Sequence, residues 1–193
     1  MKKTNPTVIV IGGTNGAGKT TSALRILPAY LNCVEFVNAD AIATALSPFN
    51  PKASALEAGR LMLERLRLMA SRKVSFAFES TLASRSFHNF LRGCKKQGYD
   101  IHIIYLWLRS VNLAEKRIRE RVRAGGHDIP PEVISRRYKR GLDNFFTLYL
   151  PLADHWQFFD NSGTEPVLLA KGEKGLREIV RDEKLWSFIK FGE

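Results

Sequence analysis

Short β-rich runs alternate along the chain with longer helical stretches, a pattern that predicts an α/β protein whose mostly parallel sheet is covered by helices on both faces. A glycine-rich loop follows the first of those runs directly, ends in Lys-Thr and opens into a helical stretch. An arginine-rich helical pair broken by glycines and prolines lies further on. Together the three observations predict a P-loop kinase-type parallel sheet with an arginine-rich helical lid.

The strands predicted are Thr7 to Ile11, Val34 to Asn38, Val74 to Phe78, Ile101 to Leu108, Gln157 to Phe159 and Val167 to Ala170, each a β-branched or aromatic run between turn residues. Helical patterning covers Gly18 to Leu27, stopped by Pro28; Ser54 to Ser71; Arg85 to Gln97, closed by Gly98; Val111 to Ala124; Pro131 to Leu148; and Leu176 to Phe188. No repeat or long linker interrupts this order. With 193 residues, the expectation is one domain, with the lid at about 111–140.

Bulk properties narrow the function classes. The apolar runs are too short to span a bilayer, since a membrane helix needs roughly 20 apolar residues, and too short behind Met1 for a signal-peptide core. Cys33 and Cys94 have no metal-ligand spacing and suit a reducing compartment. A cytoplasmic protein is expected. The net charge is +11, yet nine lysines and arginines against four acids fall between Val111 and Arg140. Basic residues are not interleaved with aromatics as in RNA-binding modules, so a compact phosphate-binding patch is expected rather than a nucleic-acid track.

The deciding motif is Gly13-Thr14-Asn15-Gly16-Ala17-Gly18-Lys19-Thr20, which satisfies G-x-x-x-x-G-K-[ST]. Its glycines let backbone N–H groups wrap phosphate oxygens, and the helix N-terminus adds favourable partial charge. Lys19 is expected to reach the β- and γ-phosphates of ATP or GTP, and the Thr20 hydroxyl to ligate Mg²⁺. The N-K-x-D of guanine-specific switches and the S-G-G-Q signature of transport ATPases are absent.

Strand two leads into Asn38-Ala39-Asp40, placing Asp40 at the carboxyl edge where open α/β sheets bind ligands. A carboxylate there can accept the proton of an attacking hydroxyl; the alternative role is a helix N-cap. Strand three ends in Glu79-Ser80-Thr81. Glu79 and Thr81 are candidate acceptor ligands, with water-mediated Mg²⁺ coordination by Glu79 or helix capping by Ser80 or Thr81 as alternatives. On the helices around Arg117-Ile118-Arg119-Glu120-Arg121 and Ser135-Arg136-Arg137-Tyr138, arginines flank the apolar stripe. Arg117, Arg121, Arg136 and Arg137 are candidates to close over a triphosphate and exclude water; periodicity does not choose between flanks. His127 is a candidate phosphate contact. Asp160-Asn161-Ser162-Gly163 either holds the adenine, with Asn161 as the nucleotide contact, or forms a plain turn.

These residues resemble the zeta-toxin family of P-loop kinases, especially its shorter zeta-toxin-like members, over nearly the whole chain to about Gly163. The matches are Gly13 to Thr21, Asn38-Ala39-Asp40, Glu79-Ser80-Thr81, Arg121-Val122, Gly125 to Pro130 and Arg136-Arg137-Tyr138. The resemblance implies ATP or GTP with Mg²⁺, loop residues through Thr21 on the nucleotide, Asp40 as base, and lid arginines around Arg121 and Arg136 or Arg137. It also implies a UDP-amino sugar as acceptor, typically UDP-N-acetylglucosamine, and an antitoxin as a conceivable partner. Two rivals stand beside this small-molecule kinase: a nucleic-acid end kinase, favoured by charge, and a non-enzymatic nucleotide-binding interaction protein.

Overall fold

The computed structural model describes residues 5–30, 33–126 and 128–192. Among the described residues, seven strands form one sheet in the order β2-β3-β1-β4-β5-β6-β7: β1 Thr7–Gly13, β2 Phe36–Val37, β3 Phe76–Ser80, β4 Asp100–Trp107, β5 His155–Asp160, β6 Val167–Glu173 and β7 Ile179–Val180. The first five in that spatial order run parallel, whereas β6 and β7 are antiparallel additions at the far edge. The α-helices are α1 Lys19–Tyr30, α2 Ala39–Leu46, α3 Ala55–Ser71, α4 Ser86–Lys96, α5 Val111–Arg123, α6 Pro131–Asn144 and α7 Glu183–Phe191. No helix among the described residues is long and apolar enough to cross a membrane.

Alternation along the central strands assigns residues to two cores. Val8, Val10, Phe76, Phe78, Ile101, Ile103 and Tyr105 face one side, where Met62, Leu66 and Met69 of α3, Leu91 of α4 and Trp186 of α7 cover them. Ile9, Ile11, Ala77, Ile104 and Leu106 face the other, under Ala23 and Leu27 of α1, Ala114 and Ile118 of α5 and Ile134 of α6. Burial on both faces explains why β1 and β4 read as continuous apolar runs.

The strand order reverses at β1, which lies between β3 and β4. The loops leaving β1 and its neighbours therefore open a crevice at the carboxyl edge of the sheet, the place where such sheets bind ligands.

Several elements depart from expectation. Helix α1 passes Pro28 and continues to Tyr30. The ring forfeits only the bond to the carbonyl four residues back, that of Leu24, on the exposed side of the helix. Strand β2 is only Phe36–Val37, with Val34 exposed before it, and β3 starts two residues late, after Lys73 at φ 56°. Helix α6 ends at Asn144 and gives way to a π-helical turn, Phe145–Tyr149, that sends Phe145 and Tyr149 into the core. The expected helix from Leu176 is also revised. Ile179–Val180 pairs with Ala170–Lys171 as a strand, and α7 begins only after Asp182, whose side chain accepts from the Leu185 N–H.

Candidate active site

The loop between β1 and α1 is shaped by its glycines. Gly13, Gly16 and Gly18 have φ of 139°, 77° and 76°, a region that side chains with a Cβ avoid. A Cβ on Gly13 would lie 2.3 Å from the Leu106 carbonyl oxygen, and one on Gly16 2.9 Å from that of Ala114. The loop is thus pressed between β4 and α5, and Asn15, Gly16, Gly18, Lys19, Thr20 and Thr21 line one side of a cavity of about 220 Å³. Asp40, Glu79, Arg117, Ile118 and Arg121 line the other.

Lys19 Nζ donates to the Thr14 carbonyl at 3.0 Å. Burial pushes its pKa down, while the nearby carboxylates of Glu79 and Asp40 pull it back up. The Thr20 hydroxyl donates to Glu79 Oε2 at 2.8 Å, and the Asn38 carboxamide donates to the same hydroxyl at 3.4 Å. Burial raises the Glu79 pKa, opposed by Lys19 and by the Thr20 bond. Oxygens from Thr20 and Glu79 meeting at 2.8 Å form the kind of hard donor pair that a Mg²⁺ ion takes, directly or through water.

Asp40 belongs to the first turn of α2 and is not its cap. That role falls to Asn38, whose Oδ1 accepts from the N–H groups of Asp40 at 2.7 Å and Ala41 at 3.2 Å. Asp40 is exposed and lines the cavity opposite the loop. Asn38 was missed as a site residue, although an Asn directly before a helical run is a readable capping signal.

The two arginine-bearing helices sit over the loop, and contacts fix each arginine differently. Arg121 lines the cavity, and the double glycine behind α5 folds back on it. The Gly126 N–H donates to the Arg121 carbonyl at 2.9 Å, and a Cβ on Gly126 would lie 2.6 Å from Arg121 Cγ. Arg137 of α6 reaches the loop itself, donating to Asn15 Oδ1 at 3.3 Å; burial lowers its pKa while Asp40 nearby raises it. Arg136 is exposed and outside the cavity wall. Arg117 also faces the cavity, but its guanidinium donates to the carbonyls of Asn161, Ser162 and Gly163 at 2.8, 3.1 and 3.2 Å. In this structure it straps the β5–β6 turn to α5.

Thr81 is half-buried and lies outside the cavity wall. Its carbonyl packs where a Gly141 side chain would be, with a Cβ there only 2.3 Å from the oxygen. The Asn161 carboxamide donates to the Ala17 carbonyl at 2.7 Å, so it contacts the loop backbone rather than the open cavity. The candidate phosphate contact His127 lies outside the described residues. A further pair that sequence reasoning did not single out is Arg109 with the buried Asp160, Nε to Oδ2 at 2.8 Å. Burial opposes ionisation of Asp160, but bonds from Ser162 and Arg109 outweigh it and lower its pKa.

Comparison with known proteins gives a consistent result. The zeta toxin family model matches residues 1–171, so β7 and α7 lie beyond the matched part. An uncharacterised protein of Haemophilus influenzae is 32% identical over 127 residues, which are 65% of this chain and 88% of the relative. Among solved structures, a chain of the AvrRxo1-ORF1:AvrRxo1-ORF2 complex with sulphate ions superposes with a TM-score of 0.78 at 18% identity. That match covers 96% of this chain but 64% of the other, so the present chain spans just under two thirds of its length. A related structure, AvrRxo1-ORF1:-ORF2 with ATP, gives 0.76 at 17% identity over the same shares, 96% and 64%. A chain of the PezAT chromosomal toxin-antitoxin system of Streptococcus pneumoniae gives 0.69 at 16% identity, covering 100% of this chain and 81% of that one. At such identities these structures speak to the shared fold.

Proposed function

The chain belongs to the zeta toxin family, and from that premise we propose that it is an ATP- or GTP-dependent kinase transferring the γ-phosphoryl group to a hydroxyl of a small molecule. A nucleotide sugar such as UDP-N-acetylglucosamine is the first acceptor to test. The observation that carries this reading is the convergence of Lys19, Thr20, Asp40, Glu79 and Arg121 on one cavity beside the glycine loop. A simple nucleotide-binding module has no need of a carboxylate such as Asp40 across the cavity from the glycine loop.

In the proposed mechanism, the loop N–H groups and Lys19 hold the β- and γ-phosphates. Thr20 and Glu79 would hold Mg²⁺, which when bound spreads the charge on the phosphate oxygens. Glu79 is engaged by Thr20, which leaves Asp40 as the carboxylate to accept the hydroxyl proton of the acceptor. The acceptor oxygen then forms its bond to the γ-phosphorus as the bond to the bridging oxygen breaks and the nucleoside diphosphate leaves. Arg121, which lines the cavity, and Arg137, bonded to Asn15 of the loop, would stabilise charge on the transferring group. One structural neighbour comes from a toxin-antitoxin system, so a neutralising protein partner is part of the proposal.

The test is incubation with Mg-ATP and separate pools of nucleotide sugars, nucleotides and oligonucleotides, with mass spectrometry following any acceptor that gains one phosphoryl group. A phosphorylated nucleotide sugar made by the wild type and not by Asp40→Asn is expected. Asp40→Asn should still bind nucleotide. Product confined to oligonucleotides would move the assignment to a nucleic-acid end kinase, and full transfer by Asp40→Asn would remove Asp40 as the base.

A further inference from the structure

The β5–β6 turn is bonded at once to the glycine loop, to the end of β4 and to α5. A loop that points its N–H groups at phosphate must turn carbonyls the other way, and a buried carbonyl needs a partner. Ala17 is fully buried, and its carbonyl accepts from Asn161 Nδ2 at 2.7 Å. The approach is close enough that a Cβ on Gly18, the next residue, would lie 2.9 Å from the same nitrogen. Asn161 is itself fixed. Its N–H donates to the Trp107 carbonyl at 2.8 Å, and its carbonyl accepts from Arg117. Asp160 Oδ1 accepts from the Ser162 N–H at 2.9 Å, and the Ser162 hydroxyl accepts from the Arg109 N–H at 2.9 Å. Gly16 meanwhile packs on Ala114 and Arg117 of α5. Loop, turn and α5 therefore form a closed triangle.

We propose that Asn161 is a positioning residue that holds the phosphate-binding loop in shape by satisfying the Ala17 carbonyl, with Arg117 fixing Asn161 in turn, and that it does not read the nucleotide base. This inference rests on the nucleotide-binding reading above. Its distinctive consequence concerns which part of the ligand feels the change. A base contact is lost only for nucleotides carrying that base, whereas a misshapen loop weakens every polyphosphate alike.

The experiment is calorimetric titration of the full chain with Mg-ATP, Mg-GTP and Mg-tripolyphosphate, alongside the melting temperature of each ligand-free protein. Asn161→Ala leaves a buried carbonyl unpaired and should weaken all three ligands by the same factor, on the order of tenfold, at an unchanged ATP to GTP ratio. Asn161→Asp should be worse than Asn161→Ala, because a carboxylate then faces the carbonyl. Arg117→Lys should give a smaller loss with the same indifference to the base. A loss confined to ATP, with tripolyphosphate unaffected, would overturn the inference in favour of a base contact. Unchanged affinity for all three would overturn it by showing that the loop keeps its shape alone. Failure of the wild type to bind any of the three would remove the nucleotide-binding reading itself, and this inference with it.

Discussion

Gly141 offers a sharp test of how α6 is set over the site. A Cβ there would lie 2.3 Å from the Thr81 carbonyl oxygen and 3.5 Å from the Tyr105 hydroxyl. The first distance is about 1 Å short of ordinary van der Waals contact, and its partner is backbone at the end of β3. Gly141→Ala must therefore lift α6 by about that amount. Overpacking of this kind costs about 1–3 kcal/mol, or a melting temperature lower by roughly 2–12 °C for a domain of this size. The same shift reaches Arg137, one helical turn earlier on the same face and bonded to Asn15. A misplacement of about 1 Å at a reacting centre can reduce turnover by roughly 100-fold, so phosphoryl transfer should fall further than stability alone accounts for. The assay pairs thermal melting with single-turnover transfer. Gly93→Ala on α4 is the control, since a Cβ there meets nothing within 4 Å; it should gain about 0.4–1 kcal/mol and leave transfer untouched. A Gly141→Ala protein with wild-type melting and wild-type transfer would refute the account of how α6 is seated.

Other expectations follow from the site and the core. Burial raises the Glu79 pKa above its unfolded value, so the ionised carboxylate costs stability at neutral pH, and the cost fades as pH falls through the folded pKa toward 4.5. Glu79→Gln should thus melt higher than wild type near neutrality in the absence of Mg²⁺, converge with it in acid, and lose the gain in melting temperature that Mg-ATP gives the wild type; parallel pH profiles of the two proteins would count against this. Trp186 is buried, stacked 5.7 Å from Trp156 at 9° and 5.0 Å from Phe158. Trp186→Ala should cost about 3–5 kcal/mol in chemical denaturation, and a loss under 1 kcal/mol would mean that α7 contributes little to the core.

The sequence made legible whatever depends on local chemistry. The glycine loop, the strands β1 and β4 and the helices α3, α4 and α5 carry their signals in a few consecutive residues, and so do the carboxylates at the ends of β2 and β3. What it hid depends on partners distant along the chain. Periodicity does not choose between the arginines on the flanks of α6, whereas in the fold Gly141 packs on Thr81 and Arg137 meets Asn15. Arg117 lines the cavity on the same stripe as Arg121, yet its bonds run to a turn more than forty residues away. The tail misled because Leu176 and Ile179 space like a helix but are exposed, and pairing with β6 overrode the local pattern.

Asn38 has a consequence that capping statistics alone do not reveal. One end of its carboxamide receives the first N–H groups of the helix bearing Asp40, and the other touches the hydroxyl of Thr20. Serine, threonine and aspartate cap helices comparably well, but none joins an acceptor and a donor in one planar group at this reach. The position is therefore spelled by two grammars at once, and only asparagine satisfies both. A serine, threonine or aspartate there would leave a well-capped helix and still sever the contact that ties the start of the Asp40 helix to the hydroxyl of Thr20.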